Sequence, residues 1–178
     1  MYVRFLKPIL DILFSIITLP FILPIFLAVF LLLLIFNKGR VFFTQIRPGL
    51  HGKPFKIFKF RTLYDEKEGT DEERATPIGK ILRKTYLDEL PQILNILLLD
   101  MSWIGPRPLL MEYLNVYTTE QHQRHHVKPG ITGLAQIKES KNASLSEKTL
   151  WDVRYVKSIS FRLDAYITWH TILKILGR

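Results

Sequence analysis

Two adjacent carboxylates, Asp88 and Glu89, are the side chains of this sequence best suited to chemistry, because a proline follows them closely. Pro91 has no amide hydrogen and its ring would clash with the carbonyl group of Leu87, so a helix is expected to begin at Pro91. The N-terminus of a helix favours ionised carboxylates, phosphate or a carboxylate-bound metal through its unpaired amide groups and its dipole. The simpler alternative is an acidic pair that only caps the helix.

Arg107 is a second candidate, because it lies between Pro106 and Pro108. Two flanking prolines leave its backbone little freedom. This would position the guanidinium group for bidentate contact with phosphate. Arg83 and Lys84 lie just ahead of the acidic pair, although a basic residue at the end of a helix commonly only complements the helix dipole.

Three histidines, His122, His125 and His126, share one face of a predicted helix, which is a spacing that a metal site could use. The sequence contains no cysteine, and no acid is placed as a further ligand. We therefore expect solvated or phosphate-facing histidines here rather than a transition-metal site.

Two helices are predicted to support the acidic pair. Thr76 and the proline after it begin the first, whose apolar face contains Ile78, Ile81 and Leu82. The second begins at Pro91 and repeats apolar residues at helical spacing, so we expect that face to be buried and to hold the carboxylates rigidly. Its apolar positions are Leu94, Leu97, Leu98 and Met101.

A C-terminal helix is predicted from residue 164 onward. Its apolar face suits either the protein core or a membrane interface, because aromatic and basic residues accompany it. That face comprises Ala165, Tyr166, Trp169, Ile172, Leu173, Ile175 and Leu176.

Residues 40–45 and 54–61 are rich in β-branched and aromatic side chains, and the turn residues between them predict a β-hairpin. Lys56, Lys59 and Arg61 would remain available to bind an anion. Alternating aromatic and basic residues also suit single-stranded nucleic acid, but no pattern typical of the common RNA-binding folds is present. Residues expected to pack are Phe55, Ile57, Phe58 and Phe60.

Two polar stretches are predicted to be surface loops. Residues 65–74 are acidic with few apolar side chains, which is typical of a mobile loop, and we assign them no chemistry. Residues 140–146 are expected to form a loop near the substrate opening.

Residues 12–36 carry no charge, and a helix of this length could span a bilayer core of about 30 Å. Pro20 and Pro24 interrupt the run, however, and leave residues 25–36 as an arm of roughly 18 Å. Basic residues flank both ends, so the positive-inside rule favours neither orientation. We therefore favour a re-entrant hairpin broken at these prolines over a spanning helix. A signal peptide is not expected, because no small-x-small cleavage pattern follows.

The 178 residues carry a formal net charge of +9 and no cysteine, which allows one core and excludes disulfides and thiolate zinc sites. Basic residues concentrate in positions 37–62 and acidic residues in positions 63–76. Nucleic acid, acidic phospholipid and a phosphorylated small substrate would each suit the basic surface, and charge alone does not choose between them. We expect a membrane helix over residues 1–36 and one further domain over residues 37–178.

Five groups of residues occur in a characteristic order. They are Phe43-Thr44-Gln45 with Arg47-Pro48-Gly49, Phe55-Lys56-Ile57-Phe58-Lys59-Phe60-Arg61, Leu87-Asp88-Glu89-Leu90-Pro91-Gln92, Asp100-Met101-Ser102 with Ile104-Gly105-Pro106-Arg107-Pro108, and Lys128-Pro129-Gly130-Ile131-Thr132-Gly133-Leu134-Ala135-Gln136. In order and spacing, over nearly the whole chain, they resemble the small bacterial monotopic phosphoglycosyl transferases, which start lipid-linked glycan assembly on undecaprenyl phosphate.

The resemblance implies an α+β, mainly helical fold with a re-entrant membrane helix hairpin, a β-hairpin and a small helical catalytic domain with interfacial amphipathic helices. It implies a monotopic enzyme in the phospholipid of the bacterial inner membrane, on the cytoplasmic face, with no nucleic-acid partner. The sequence departs from the family at the membrane break, where Leu23-Pro24 replaces a Ser-Pro pair. The serine hydroxyl that could satisfy the freed backbone groups is therefore missing.

The resemblance also implies the reaction. Asp88 would attack the β-phosphate of a UDP-sugar, release UMP and carry the phosphosugar covalently until undecaprenyl phosphate takes it. Asp88 would also contact Mg²⁺, and Glu89 would act as a base or orient the metal. Displacement at a diphosphate needs charge neutralisation, which would come from Mg²⁺ with Lys59, Arg61, Arg83 and Arg107.

The loop that contains Gly130, Thr132 and Gly133 has the backbone freedom to approach a nucleotide closely, and we assign it with Gln136 to the uridine side. The alternative to this enzyme is a non-catalytic, membrane-tethered module that binds anionic lipid or nucleic acid. Asp88 separates the two hypotheses, because only the enzyme needs an ionised nucleophile there.

Overall fold

The computed structural model describes residues 1–65, 68–138 and 144–177. It is mainly helical, as predicted, and it contains two small two-stranded sheets, of which the sequence predicted one. The α-helices are α1 Lys7–Phe36, α2 Asp71–Arg74, α3 Pro77–Lys84, α4 Gln92–Leu97, α5 Thr119–His122, α6 Leu134–Lys138, α7 Leu145–Ser158 and α8 Phe161–Ile175. The strands are β1 Phe42–Pro48, β2 Pro54–Phe60, β3 Ser102–Ile104 and β4 Gly130–Thr132.

The predicted β-hairpin is confirmed. Strands β1 and β2 pair antiparallel, with Phe42 opposite Phe60 and Pro48 opposite Pro54. Phe55 and Ile57 lie on one face of β2 and pack with Ile96 and Met101, whereas Phe60 lies on the other face and packs with Val29 and Leu33 of α1. The second sheet is parallel and joins β3 to β4. A Cβ atom on Gly130 would lie 2.1 Å from the amide nitrogen of Gly105, so this pairing requires glycine.

Helix α1 is continuous from Lys7 to Phe36 and contains both Pro20 and Pro24. The prolines therefore do not interrupt the helix as the sequence suggested, and the re-entrant course stays a prediction. Together with the short π-helical turn Tyr2–Leu6, it is the one helix among the described residues long and apolar enough to cross a membrane by length and composition.

One face of α1 contacts the rest of the chain near both of its ends. Near the start, the Lys7 ammonium group lies 2.7 Å from the Asp164 carboxylate, and the Trp103 indole donates a 2.9 Å hydrogen bond to Ser15. Near the end, Val29 and Leu33 share a core cluster with Val41, Phe60 and Leu82. Helix α1 therefore packs on the rest of the chain near both of its ends.

Helix α4 begins next to Pro91 as predicted, but its buried face differs from the prediction. Leu94, Leu97 and Leu98 are exposed, and of the predicted set only Met101 is buried. The residues that face the core are instead Gln92, Ile93, Asn95 and Ile96. The reason is that α4 packs on β2 through Asn95, whose side chain bonds both the Phe58 amide and the Lys56 carbonyl group.

Two further predictions about helices need correction. Helix α3 has its predicted Thr76 cap and buries Leu82, but Ile81 is 63% exposed. Helix α8 begins at Phe161 after a Ser160 cap, three residues before the predicted start. The core alternative for its apolar face is wrong, because Ile167 and Asp164 are buried instead, and the predicted face is mostly exposed.

The acidic stretch is not wholly a loop. Thr70 and Glu73 form a reciprocal capping box that begins α2, so a short helix occupies residues 71–74. Residues 66 and 67 of this stretch lie outside the described residues, as do residues 139–143 of the predicted loop near the substrate opening. From the latter stretch, Ser144 caps α7 and its neighbours belong to that helix.

Candidate active site

The predicted reactive pair lies in a tight turn between α3 and α4. Tyr86 adopts a left-handed conformation with φ of 59°, and a short 3-10 helix, Leu87–Glu89, follows it. This turn ends directly at the proline before α4, which is the local arrangement expected from Pro91. Asp88 and Glu89 are both buried, with 9% and 6% of their surface exposed.

The surroundings of the two carboxylates separate their pKa values. Burial, together with the negative charge of Glu89, raises the pKa of Asp88 to about 6. Burial alone would also raise the pKa of Glu89, but the charges and hydrogen bonds of Arg107 and Lys59 lower it to about 2. Glu89 is therefore firmly ionised, and Asp88 is a carboxyl group whose charge is costly.

Glu89 contacts two cations from distant segments, one on a strand and one in the segment after a strand. Its Oε1 atom lies 2.7 Å from the Lys59 ammonium group on β2 and 2.6 Å from the Arg107 guanidinium group after β3. Asn95 anchors β2 to α4 and so fixes Lys59 relative to Glu89. No sequence motif identifies Asn95 as a residue that supports the site, because this role depends on which face of α4 is buried.

A polar cavity of about 700 Å³ opens beside the pair. Asp88 and Glu89 line it together with all four predicted phosphate-binding residues. These four are Lys59, Arg61, Arg83 and Arg107. The structure therefore brings together, at one cavity, bases that are widely separated in the sequence.

Two of these cations have carboxylate partners from the acidic stretch. Arg83 lies 2.8 Å from Asp71, and Arg61 pairs with Asp65. Both acids line the polar cavity, so a stretch to which the sequence assigned no chemistry supplies its counter-ions. Arg47 also lines the cavity and was missed as a site residue. Burial and the like charge of Arg107 lower its pKa, which is typical of a cation in need of an anion.

The predicted nucleotide loop does not line the polar cavity. Thr132 and Gln136 line a separate, mostly apolar cavity of about 490 Å³. Gly130 and Gly133 pack against the backbone of Gly105, since a Cβ atom at either would lie within 2.2 Å of it. Close packing of β3 on β4 therefore accounts for both glycines.

The residues present fit the expected Mg²⁺. Asp88 faces the polar cavity, and no hydrogen bond or ion pair to it occurs within the described ranges. Magnesium is commonly held by one or two carboxylates and the substrate phosphates rather than by a full protein cage. A cage is indeed absent: no three His, Asp or Glu side chains of the described part of the chain are grouped to hold a metal ion.

The histidine cluster lies elsewhere. His122 and His126 are exposed to solvent as predicted, whereas His125 differs from them. His125 is buried, and burial followed by the charge of Arg124 lowers its pKa to about 4. His125 is therefore neutral at physiological pH, and it does not line the polar cavity.

The sequence of residues 2–178 matches one protein family, described as bacterial sugar transferase. The chain belongs to this family. The resemblance seen in the motifs is thus confirmed, and the chain is an enzyme rather than a non-catalytic membrane module.

The names of similar proteins indicate which reactions members of this family catalyse. The uncharacterized sugar transferase EpsL of Bacillus subtilis is 52% identical over 141 residues, which are 76% of this chain and 70% of that protein. The UDP-glucose:undecaprenyl-phosphate glucose-1-phosphate transferase of Klebsiella pneumoniae is 40% identical over 179 residues, covering 92% of this chain and 38% of that protein.

A third relative acts on a different sugar. The UDP-N-acetylgalactosamine-undecaprenyl-phosphate N-acetylgalactosaminephosphotransferase of Aeromonas hydrophila is 36% identical over 185 residues, covering 97% of this chain and 44% of that protein. This chain therefore spans less than half the length of the Klebsiella pneumoniae and Aeromonas hydrophila relatives.

Proposed function

We propose that this enzyme transfers a sugar 1-phosphate from a UDP-sugar to undecaprenyl phosphate and releases UMP. The observation that carries the proposal is Asp88, a buried carboxylate at a cavity rich in cations whose own charge is unpaired within the described residues. The names of two relatives support the donor and acceptor classes. Glycan assembly for a capsule, glycoprotein or O-antigen would begin with such a step.

Asp88 acts as the nucleophile in this proposal. One carboxylate oxygen attacks the β-phosphorus atom of the UDP-sugar, and the bond from that phosphorus to the bridging oxygen breaks. UMP leaves with the electron pair, and the sugar phosphate is held as an aspartyl phosphodiester. An oxygen of the acceptor phosphate then attacks the same phosphorus atom, which frees Asp88 and gives a polyprenyl diphosphate sugar.

Glu89 orients cations rather than moves a proton. A carboxylate with a pKa of about 2 is a weak base, whereas its contacts hold Lys59 and Arg107 at the cavity edge. These two bases, with Arg61 and Arg83, neutralise the charge that develops on the phosphates. Mg²⁺ bound to Asp88 and the donor phosphates would supply further neutralisation of charge.

We also propose that the enzyme lies at the membrane on its cytoplasmic face, and exposed apolar surface supports the contact with lipid. Helix α1, the leucines of α4 and the apolar face of α8 are exposed, including Phe21 at 75% and Trp169 at 61%. Exposed apolar area of this extent is typical of lipid contact. Because α1 contacts the catalytic part near both ends, we propose that it enters and leaves the inner membrane on one side, as a monotopic element.

The test measures the nucleotide product and the covalent adduct. Purified enzyme with Mg²⁺ and a panel of UDP-sugars should release UMP, and intact-protein mass spectrometry should detect one added sugar phosphate. Asp88→Asn should abolish both, whereas Asp100→Asn, a carboxylate outside both cavities, should retain them. Release of UDP, or turnover by Asp88→Asn at the normal rate, would contradict the proposal.

A further inference from the structure

The apolar cavity touches the polar one at the catalytic turn. Tyr86, Glu89 and Arg107 line both cavities, whereas Asp88 lines only the polar one. Tyr86, Glu89 and Arg107 therefore form part of the boundary between the two cavities. A molecule in the apolar cavity would lie close to a group bound on Asp88, which adjoins Glu89 in the chain.

The walls of the apolar cavity come from elements that carry exposed apolar surface. Ile22 of α1 and Ile175 of α8 contribute side chains, and both helices are largely exposed along their apolar faces. Leu90, Ile93 and Trp103 line the protein side. The cavity is therefore suited to a hydrocarbon chain that arrives from the lipid, and poorly suited to a nucleotide.

Its charged groups are mainly basic. Lys148, Lys174 and Arg107 line it, and among the described lining residues the one carboxylate is Glu89, which Lys59 and Arg107 already neutralise. Lys174 donates one hydrogen bond to the Gln136 carbonyl oxygen at 2.6 Å. Two of its three ammonium hydrogens therefore remain for a ligand. An apolar cavity with a basic edge is complementary to a lipid that ends in phosphate.

We propose that this cavity binds the acceptor, a polyprenyl phosphate, with its first isoprene units between α1 and α8 and its phosphate held by Lys148 and Lys174. This inference rests on the proposed function. It places the donor and the acceptor in two cavities that share Glu89 and Arg107. It also assigns Thr132 and Gln136 to the acceptor side rather than to the uridine side.

The arrangement determines how the second step proceeds. The acceptor phosphate reaches the aspartyl phosphodiester from the apolar side, where Arg107 contacts both cavities. One of its oxygens forms the new bond to phosphorus as the bond from phosphorus to Asp88 breaks. The electron pair of that bond returns to the carboxylate, so no further reactant is needed.

The kinetic test separates the two half-reactions. Lys148→Gln and Lys174→Gln should each raise the KM for polyprenyl phosphate about tenfold, because each removes a charged hydrogen bond. The burst of UMP released without acceptor should stay at the wild-type level. Ile175→Trp, which fills the cavity, should also raise the acceptor KM, whereas Ile172→Trp on the same helix lies outside the cavity and should not.

A changed UMP burst with an unchanged acceptor KM would overturn the inference, because the cavity would then serve the donor. Equal effects of Ile172→Trp and Ile175→Trp would overturn it as well. Absence of a UMP burst from the wild-type enzyme would instead contradict the proposed function.

A binding measurement tests the cavity without turnover. With Trp151 and Trp169 replaced by phenylalanine, Trp103 is the remaining tryptophan and lines the cavity. A short-chain polyprenyl phosphate in detergent should change its fluorescence saturably, and Lys174→Gln should weaken this binding about tenfold. The same response to phosphatidylglycerol alone would overturn the inference, because an ordinary membrane phospholipid would then occupy the cavity.

Discussion

Asp88 and Glu89 are neighbours in the sequence, yet their pKa values lie on opposite sides of the ordinary carboxyl range. The difference arises because Lys59 and Arg107 both contact Glu89, whereas Asp88 has no partner in the described part of the chain. If Asp88 is the nucleophile, as proposed, its lack of an ion-pair partner leaves it available to phosphorus, but its unpaired charge destabilises the fold. Function and stability therefore oppose each other at this residue.

Asp88→Asn is expected to stabilise the protein while it abolishes transfer. The pKa of Asp88 is about 6 in the folded protein, compared with a value near 3.8 in the unfolded chain. This difference stabilises the fold below pH 3.8, and the stabilisation is lost as the pH rises through about 6. At pH 7.5 the variant should therefore gain up to about 3 kcal/mol in the free energy of unfolding. Thermal unfolding in detergent with a chelator present should show a melting temperature several degrees higher.

The gain should shrink as the pH falls from about 6 to about 4, and it should vanish at lower pH, where Asp88 is protonated in both states. A variant that is less stable than the wild type at pH 7.5 would contradict this account of Asp88. Asp100→Asn provides the matched comparison and should change the melting temperature little.

The sequence predicted the identity of the reactive pair, because Pro91 acts on its near neighbours. The resemblance already implied different roles for the two carboxylates, but the sequence did not predict that Lys59 and Arg107 both pair with Glu89, since these two cations lie far from it along the chain. Asp71 was missed as the counter-ion of Arg83 for the same reason, whereas Asp65 lies only four residues from Arg61 and was missed because its stretch was treated as a loop without chemistry. An ion pair between residues that are far apart in the sequence leaves no recognisable pattern in the residues next to either partner.

At the scale of elements, a buried ion pair holds the segment that presents Arg107. Arg124 bonds the Asp152 carboxylate of α7 at 2.6 Å and donates a 2.7 Å hydrogen bond to the Arg107 carbonyl oxygen. Both charged side chains are almost fully buried. Because Arg124 contacts the backbone of Arg107 directly, the pair links α7 to the catalytic segment.

Asp152→Asn should destabilise the protein by about 3 to 5 kcal/mol, because it leaves the buried guanidinium group of Arg124 without a counter-charge. Chemical denaturation in detergent measures this change. The double variant Arg124→Met with Asp152→Leu should lose less than the sum of the single changes, since no uncompensated charge remains.

Glu120→Gln breaks an ion pair with Lys157 whose side chains are more than half exposed, and it should change stability little. An Asp152→Asn variant as stable as this control would show that the buried pair is not needed. A raised KM for the donor in the double variant would further indicate that Arg124 positions Arg107.

Element predictions succeeded where local signals decide the outcome. The Thr76 cap and the hairpin turn were found because their residues determine local backbone geometry. The predicted buried face of α4 was wrong, because a leucine repeat indicates an apolar face but does not indicate whether protein or lipid covers it. Here Asn95 faces β2, and the leucines remain exposed.

At the scale of the whole molecule, α1 determines how the enzyme meets the membrane. The sequence identified its apolar length but not its packing, since the partners Trp103 and Asp164 lie far along the chain. We expect both of its ends to lie on the cytoplasmic side. The chain contains no cysteine, so any cysteine that is introduced becomes the one reactive thiol.

Single variants Arg4→Cys and Arg40→Cys should both resist a membrane-impermeant maleimide applied to intact cells, and both should react after permeabilisation. Glu112→Cys, on the exposed surface of the catalytic part, serves as the cytoplasmic reference. Labelling of Arg4→Cys from outside the cell would mean that α1 spans the bilayer.

The contacts of α1 also connect the lipid to the reaction. Val29 and Leu33 of this helix pack against Phe60, the neighbour of Lys59, while Asp11 and Ser15 hold Trp103, which precedes Arg107 by four residues. The strand that carries Lys59 and the segment that leads to Arg107 are therefore both supported by the buried face of α1. The turnover rate should accordingly depend on the thickness and fluidity of the bilayer. A truncated, water-soluble form without α1 would lose the alignment of Lys59 and Arg107 with Glu89 as well as its attachment to the membrane.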